Sequence, residues 1–295
     1  MVEVLVPSKV NLALLVGETD AQGYHRLGTV FQAVSLHDEV TVRATEPGVF
    51  RLAFRGEGSA FLPTDDTNLV TRAARLLAAT YDVDAGVEVL VRKHIPVAGG
   101  MAGGSADAAA TLVACNELWG LGLTVAELHP LAARLGSDVP FLLNGGTAIG
   151  AHRGDRLEPI PTAGSYHWVL ALSHSGLSTP AVFREFDRLS PPRPTEVAPE
   201  LLAALASGDV ARVGALLTND LAEAALSLQP DLAEVIRIGD QAGALGTVVS
   251  GSGPTIAFLC DGEELALRVA DALRVSSRVR AVRRAVGPVP GARVI

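Results

Sequence analysis

Lysine is almost missing from this chain. Of 24 basic residues, Lys9 and Lys93 are the only lysines, and the other 22 are arginines. One reading is codon bias with chance survival. The other is that both positions need a compact ammonium on a slim stem rather than a planar fork. Cysteine is nearly as scarce. Cys115 and Cys260 stand alone and far apart, which fits neither a disulfide framework nor a zinc site and points to a reducing compartment. Positive charge is in deficit, with a net charge of −8. That argues against a nucleic-acid binder or a membrane-surface protein, both of which need a basic face. No apolar run reaches the roughly 18 residues of a membrane span, and the start, MVEVLVPSKV, lacks a signal pattern. A cytoplasmic protein is expected. What the chain does have is 48% hydrophobic and 19% charged residues in a length of 295, enough for a buried core in one large or two ordinary domains.

The local patterns are mixed. VEVLV (2–6), EVTVRA (39–44), VFRLAF (49–54), VEVLVR (87–92), WVLAL (168–172) and the stretches 247–250, 255–260 and 278–286 read as strands, rich in β-branched residues. Helical spacing covers 68–81, 105–120, 200–207, 209–217, 230–243 and 264–274. Thr124 and Glu127 predict a capping box for another helix ending near Gly136, with Pro130 awkwardly inside it. The proline-rich stretch 190–199 predicts an exposed loop. The chain is expected to be α+β, with two lobes, 1–160 and 161–295.

Residues 96–112, PVAGGMAGGSADAAATL, place four glycines within six positions, directly before an alanine-rich helix. Glycine lets the backbone approach a ligand closely and adopt positive φ. The unpaired N–H groups and the dipole of the helix start then favour an anion, commonly phosphate. The dinucleotide pattern G-x-G-x-x-G cannot be laid on Gly99, Gly100, Gly103 and Gly104. The Walker pattern nearly fits, with Gly99 and Gly104 at the right spacing and Ser105 following, but its lysine is missing. Any ammonium must come from another segment. A ligand-free turn is the alternative, although such a turn needs only one or two glycines. Ser105 is expected to cap the helix.

This stretch resembles the central motif of the GHMP small-molecule kinases. PSKVNLALLVG near the N-terminus is similar to their first motif, and VVSGSGPTIAFL (248–259) to their third. The resemblance implies a two-lobe fold, with an N-terminal ribosomal protein S5 domain 2-like lobe and a C-terminal ferredoxin-like α/β lobe. It also implies ATP, with Mg²⁺, as phosphoryl donor. DAQGYHRLGTVFQAVSLHDEV (20–40) and GSDVPF (136–141) resemble the branch of the family that phosphorylates the 2-hydroxyl of a cytidine-diphosphate-linked methylerythritol, in non-mevalonate isoprenoid synthesis.

The resemblance implies Lys9 and Asp138 as the catalytic pair, with Asp138 taking the hydroxyl proton. It implies a nucleotide site of Asn68, Lys93 and the run Pro96, Val97, Ala98, Gly99, Gly100, Met101, Ala102, Gly103, Gly104, Ser105 and Ala106. Ala98, Met101 and Ala102 stand where glycine or leucine is more usual, and Ala106 replaces a second serine, so no hydroxyl contact is available there. On the substrate side, Tyr24 and Phe183 match the residues that stack on the base, His25 the one that reads its edge, and Thr179 lies nearby. Gly251, Ser252 and Gly253 offer a second backbone-rich anion site, or a plain glycine hairpin. Asn11 reads as a substrate hydrogen-bond partner or a turn residue, and Asn68 equally as a helix cap. Asp107 reads as a dipole partner with a metal role open, and no carboxylate pair marks a magnesium site. Oligomeric state is not legible. Two other readings stand beside this one. A kinase of mevalonate, homoserine or a sugar would not need the base-binding set, and a catalytically silent ligand sensor would not need Lys9 and Asp138.

Overall fold

The computed structural model describes every residue except Ser190 and Pro192. It holds twelve strands and ten α-helices among the described residues. The chain starts with two very long strands, β1 (Val2–Thr19) and β2 (His25–Thr45), paired antiparallel from Val2↔Val42 to Thr19↔His25. The register shifts at Pro7/Ser8, Asn11/Ala13 and Val16/Thr19. Such bulges re-aim side chains, and here they fall around Ser8, Lys9 and Asn11. β3 (Phe50–Gly56) follows, then α1 (Leu69–Thr80), β4 (Gly86–Lys93), α2 (Gly103–Leu118), α3 (Val125–Leu135) and α4 (Val139–Asn144). β5 (Thr147–His152) returns alongside β2 and pairs with β6 (Arg156–Pro159).

The second half runs β7 (Tyr166–Leu172), α5 (Thr179–Leu189), α6 (Pro199–Ser207), α7 (Val210–Ala215), β8 (Thr218–Asn219), α8 (Ala222–Leu228), α9 (Leu232–Gln241), β9 (Gly246–Val249), β10 (Ile256–Cys260), α10 (Glu263–Arg274), β11 (Ala281–Gly287) and β12 (Arg293–Val294). β11, β7, β10 and β9 form a four-stranded antiparallel sheet, while β8 and β12 both join β1 in the first sheet. The C-terminal strand thus lies against the N-terminal one.

The alternation along β7 and β10 explains how the two sheets stack. Trp168, Leu170, Leu172, Ala257 and Leu259 face the first lobe's core, whereas Val169, Ala171, Ile256 and Phe258 face α9 and α10. Trp168 donates its indole N–H to Gln32 at 2.9 Å, which ties the lobes at their centre. α2 is buried almost all round through Ala106, Ala108, Ala109, Ala110, Leu112 and Ala114. Small side chains let it sit deep against β1 and β2, so its N-terminus meets the cleft.

Most predicted elements are found, with shifted ends. The Thr124–Glu127 capping box is present, and α3 continues through Pro130 to Gly136. The expected Ser105 cap is not. The residue preceding α2 is Ala102, at φ 60°, and Ser105 sits inside the first turn with no capping bond. Gly103 and Gly104 already adopt helical backbone, so the helix begins two residues earlier and its first amides stay open toward the cleft. Of the proline-rich stretch predicted as a loop, Ser190 and Pro192 lie outside the described residues; residues 193–198 carry no regular structure.

Candidate active site

A cavity of about 480 Å³ opens between the lobes. It gathers Lys9 and Asn11 from β1, Asn68 from the start of α1, Lys93 from the end of β4, residues 96–105, Asp138 at the start of α4, Thr179 and Phe183 from α5, and Gly251 and Ser252 from the turn before β10. These segments carry the residues expected from sequence. Ala106 is not among the lining residues. It is fully buried, and its N–H donates to Ala102 O at 2.8 Å. Tyr24, His25 and Gly253 also lie outside the lining, although Tyr24 and His25 touch side chains within it.

The glycine loop is held by glycine's missing side chain. Gly100 has φ +75°, and a Cβ there would stand 2.0 Å from Ser250 O. Gly251, at φ +56°, faces Gly100 from the other lobe, where a Cβ would stand 2.8 Å from Gly100 O. The two loops interlock. Ala98 and Ala102 also take positive φ, at 53° and 60°, a conformation uncommon outside glycine. Among the described residues, no backbone N–H from 100 to 105 has an intramolecular acceptor. Unpaired amides at a helix start are an anion site.

The two lysines have opposite surroundings. Lys9 is 4% exposed. Its Nζ donates to Asn11 Oδ1 at 2.6 Å and to Gly100 O at 3.2 Å, and it lies 5.6 Å from the Phe31 ring centroid. No carboxylate among the described residues pairs with it directly. Burial lowers its pKa, and the charge of Asp138 pulls it partly back. Asn11 passes the chain on, donating to Thr29 Oγ1 at 2.8 Å, and Thr29 donates to Ala13 O at 2.6 Å. Both ends of the Asn11 amide are therefore engaged in aiming Lys9.

Lys93 is fully paired. It donates to Asp38 and to Asp107 Oδ2 at 2.7 Å, both buried, and to the half-buried Gly103 O at 3.3 Å. Burial opposes its charge, but Asp107 and Asp38 outweigh that and hold its pKa above the ordinary lysine value. Burial pushes the Asp107 carboxyl up against the pull of Lys93. Asp38 Oδ1 also accepts the N–H groups of His94 at 2.6 Å and Ile95 at 2.8 Å. Lys93 lines the cavity, but its three donors anchor the strand before the glycine loop to the helix after it.

Asn68 caps α1, accepting from Val70 N at 2.9 Å and donating to Pro63 O at 2.8 Å. Thr179 Oγ1 lies 2.8 Å from Ser252 Oγ, and Asn219 Nδ2 donates to Val249 O and Gly251 O, each at 2.7 Å, fixing the third glycine-rich turn. At the far end, His25 stacks on Phe183 with centroids 5.4 Å apart and an interplanar angle of 21°. Its Nδ1 meets Gly17 O at 2.7 Å and its Nε2 meets Asp187 at 3.0 Å. Neither ring nitrogen is open to a base edge in this arrangement. Sequence reasoning missed Asp187, as well as Arg153, which lines the cavity beside Tyr24. Nothing local marks either one. Arg153 is one of 22 arginines, and the partners of its guanidinium are more than a hundred residues away.

Among the described residues, no three His, Cys, Asp or Glu side chains converge. Mg²⁺ does not require that, since it is commonly held by one or two carboxylates, waters and the phosphates of the nucleotide. The Asp138 carboxylate and the Ser105 hydroxyl in one cavity are compatible with it.

Comparison with known proteins settles the family. The profile of the GHMP kinases N terminal domain matches residues 68–146, and that of the GHMP kinases C terminal domain matches residues 201–276. The chain belongs to the GHMP kinases. Among members of this family, 4-diphosphocytidyl-2-C-methyl-D-erythritol kinase of Mycolicibacterium smegmatis is 55% identical, covering 100% of this chain and 92% of its own. The enzyme of the same name from Rhodococcus jostii is 54% identical, covering 100% and 95%. A crystal structure of 4-(cytidine 5'-diphospho)-2C-methyl-D-erythritol kinase superposes with a TM-score of 0.78 at 33% identity, covering 96% of this chain and 98% of that one. Homoserine kinase from Cytophaga hutchinsonii also reaches 0.78, at 21% identity, which speaks to the GHMP kinase fold alone. No helix among the described residues is long and apolar enough to cross a membrane.

Proposed function

We propose that this GHMP kinase transfers the γ-phosphoryl group of ATP to the 2-hydroxyl of 4-diphosphocytidyl-2-C-methyl-D-erythritol, a step of the non-mevalonate route to isoprenoid precursors. One observation carries the reading. A single cavity holds the unpaired amides of residues 100–105, the Lys9 ammonium and the Asp138 carboxylate, and opens toward aromatic rings at its other end. The full-length identity to kinases of that name supports the choice of acceptor.

Phosphoryl transfer asks a protein for positioning and charge stabilisation more than for covalent chemistry. In this reading the amides of residues 100–105 and of the 251–253 turn hold phosphates, and Asn68 and the 96–99 segment border the nucleotide. Asp138 accepts the proton of the acceptor hydroxyl as its oxygen bonds to the γ-phosphorus, and the β–γ bridging oxygen leaves with ADP. Lys9, aimed by Asn11, offsets charge on the transferring oxygens. Tyr24 and Phe183 stack on the cytosine, with His25 beside them. The Ser105 hydroxyl and the Asp138 carboxylate, with the nucleotide's own phosphates, would hold Mg²⁺, which would supply screening of the phosphate charge. The division into lobes 1–160 and 161–295 and a cytoplasmic location belong to the same proposal.

The test is an ADP-release assay with the cytidine-linked erythritol, mevalonate, homoserine and free sugars as acceptors. Turnover confined to the cytidine-linked alcohol is expected. Faster turnover of another acceptor would replace the substrate, and ligand binding without ADP release would replace the activity with a sensor role.

A further inference from the structure

We propose that Arg153 is a positioning residue for the base-binding end of this site, backing one face of Tyr24 so that its free face is preset to stack a pyrimidine. The inference rests on the reading given above. Tyr24 is 57% exposed, and among the described residues its hydroxyl has no hydrogen-bond partner. Packing does not orient its ring. Arg153 does, lying with Cζ 4.0 Å from the ring centroid, well within cation–π range.

The guanidinium is itself held. Its Nη2 donates to Asp20 Oδ2 at 3.0 Å and also to Gln22 Oε1. Asp20 closes the turn that carries Tyr24. Its Oδ1 accepts the N–H groups of Gln22 at 2.8 Å and Tyr24 at 3.0 Å, and its own N–H donates to Tyr24 O at 2.7 Å. The Tyr24 N–H and the Arg153 guanidinium together hold the Asp20 carboxyl down at about 2. One arginine thus grips both the ring and the turn beneath it. Lysine could pair with Asp20 but could not also lie flat on the ring.

The loop presenting Arg153 is shaped for the purpose. His152 takes φ +67° and Gly154 φ +88°. Asp155 ties down His152 and Arg153, accepting from Arg153 N at 3.3 Å and facing His152 Nδ1 at 3.1 Å. A non-glycine residue at positive φ persists only where its surroundings enforce it. An ion pair that merely stapled two loops would not require this. Arg153 also lines the cavity, so the ring it backs stands at the cavity's edge.

The test is steady-state kinetics of the full-length enzyme for Arg153→Met, Arg153→Lys, Tyr24→Leu and the Tyr24→Leu/Arg153→Met double variant. Arg153→Met should raise KM for the cytidine-linked substrate about tenfold, with kcat and KM for ATP within about twofold. Arg153→Lys should recover only part of the loss, because charge returns without the flat stack. The double variant should be no worse than Tyr24→Leu alone. Losses that multiply in the double variant would overturn a role exerted through Tyr24, as would an unchanged KM in Arg153→Met. If the unsubstituted enzyme turned over no cytidine-linked acceptor, the proposed function itself would fall, and this inference with it. That outcome is distinct from an active enzyme indifferent to Arg153.

Discussion

At the end of the cleft proposed for the nucleotide, the groups on offer are backbone amides from one short stretch, residues 100–105, pinned by the interlock of Gly100 with Ser250 and Gly251. At the end proposed for the acceptor they are side chains brought from separate elements: Tyr24 and His25 at the β1–β2 tip, Arg153 after β5, Phe183 and Asp187 on α5. A backbone-built site follows from local glycine spacing. A side-chain-built site depends on which distant segments the fold brings together. The two lysines repeat the contrast. Lys93 serves the architecture behind the loop, and Lys9 faces the chemistry in front of it.

The sharpest way to break this contrast is at the chemistry. Asp138→Asn should lower kcat by about 10²–10⁴-fold, the usual contribution of a positioned base, while KM for both ligands stays within a few-fold. A variant with near-normal kcat in the ADP-release assay would remove Asp138 from that role. The next largest effect concerns Lys93. Lys93→Met leaves Asp38 and Asp107 buried without their cation, and should cost roughly 3–5 kcal/mol in urea unfolding. A variant of unchanged stability would show that the triad anchors nothing. Gly100→Ala forces a methyl against Ser250 O at positive φ, and is expected to cost about 1–3 kcal/mol and to raise KM for ATP more than KM for the acceptor.

Lys9→Met sharpens the comparison from the opposite side. Because burial lowers the folded pKa of Lys9, the unfolded chain binds its proton more tightly. Its charge therefore destabilises the fold at neutral pH, and the effect is relieved as pH rises from the lowered folded pKa up to the ordinary lysine value, above which it is gone. Lys9→Met should melt at the same or a higher temperature than the unsubstituted protein at pH 7, with turnover largely lost. A fall in melting temperature like that of Lys93→Met would erase the distinction between the two lysines.

The legibility of the sequence follows the same division. The glycine loop, the α1 cap at Asn68 and the Thr124–Glu127 box were visible because each is written in a few adjacent residues. β1 was read only over 2–6 but runs to Thr19, since its bulges and the polar, buried Ser8, Lys9 and Asn11 interrupt the strand alternation. α5 went unseen because its charged residues mask a stripe of just two buried side chains, Val182 and Phe186. The anchoring of Lys93 could not be read because Asp38 lies 55 residues earlier. Asn11, expected as a substrate partner or turn residue, lines the cavity, and its amide also joins Lys9 to Thr29, a link between distant residues that local sequence does not show.

The most direct measurement of the account is calorimetric titration of the unsubstituted protein and of Tyr24→Ala, each with cytidine diphosphate and with a non-hydrolysable ATP analogue. The account predicts that the variant weakens the cytidine ligand by roughly 1–3 kcal/mol, the worth of one base–aromatic stack, and binds the ATP analogue as before. Equal weakening of both ligands, or of neither, would contradict it.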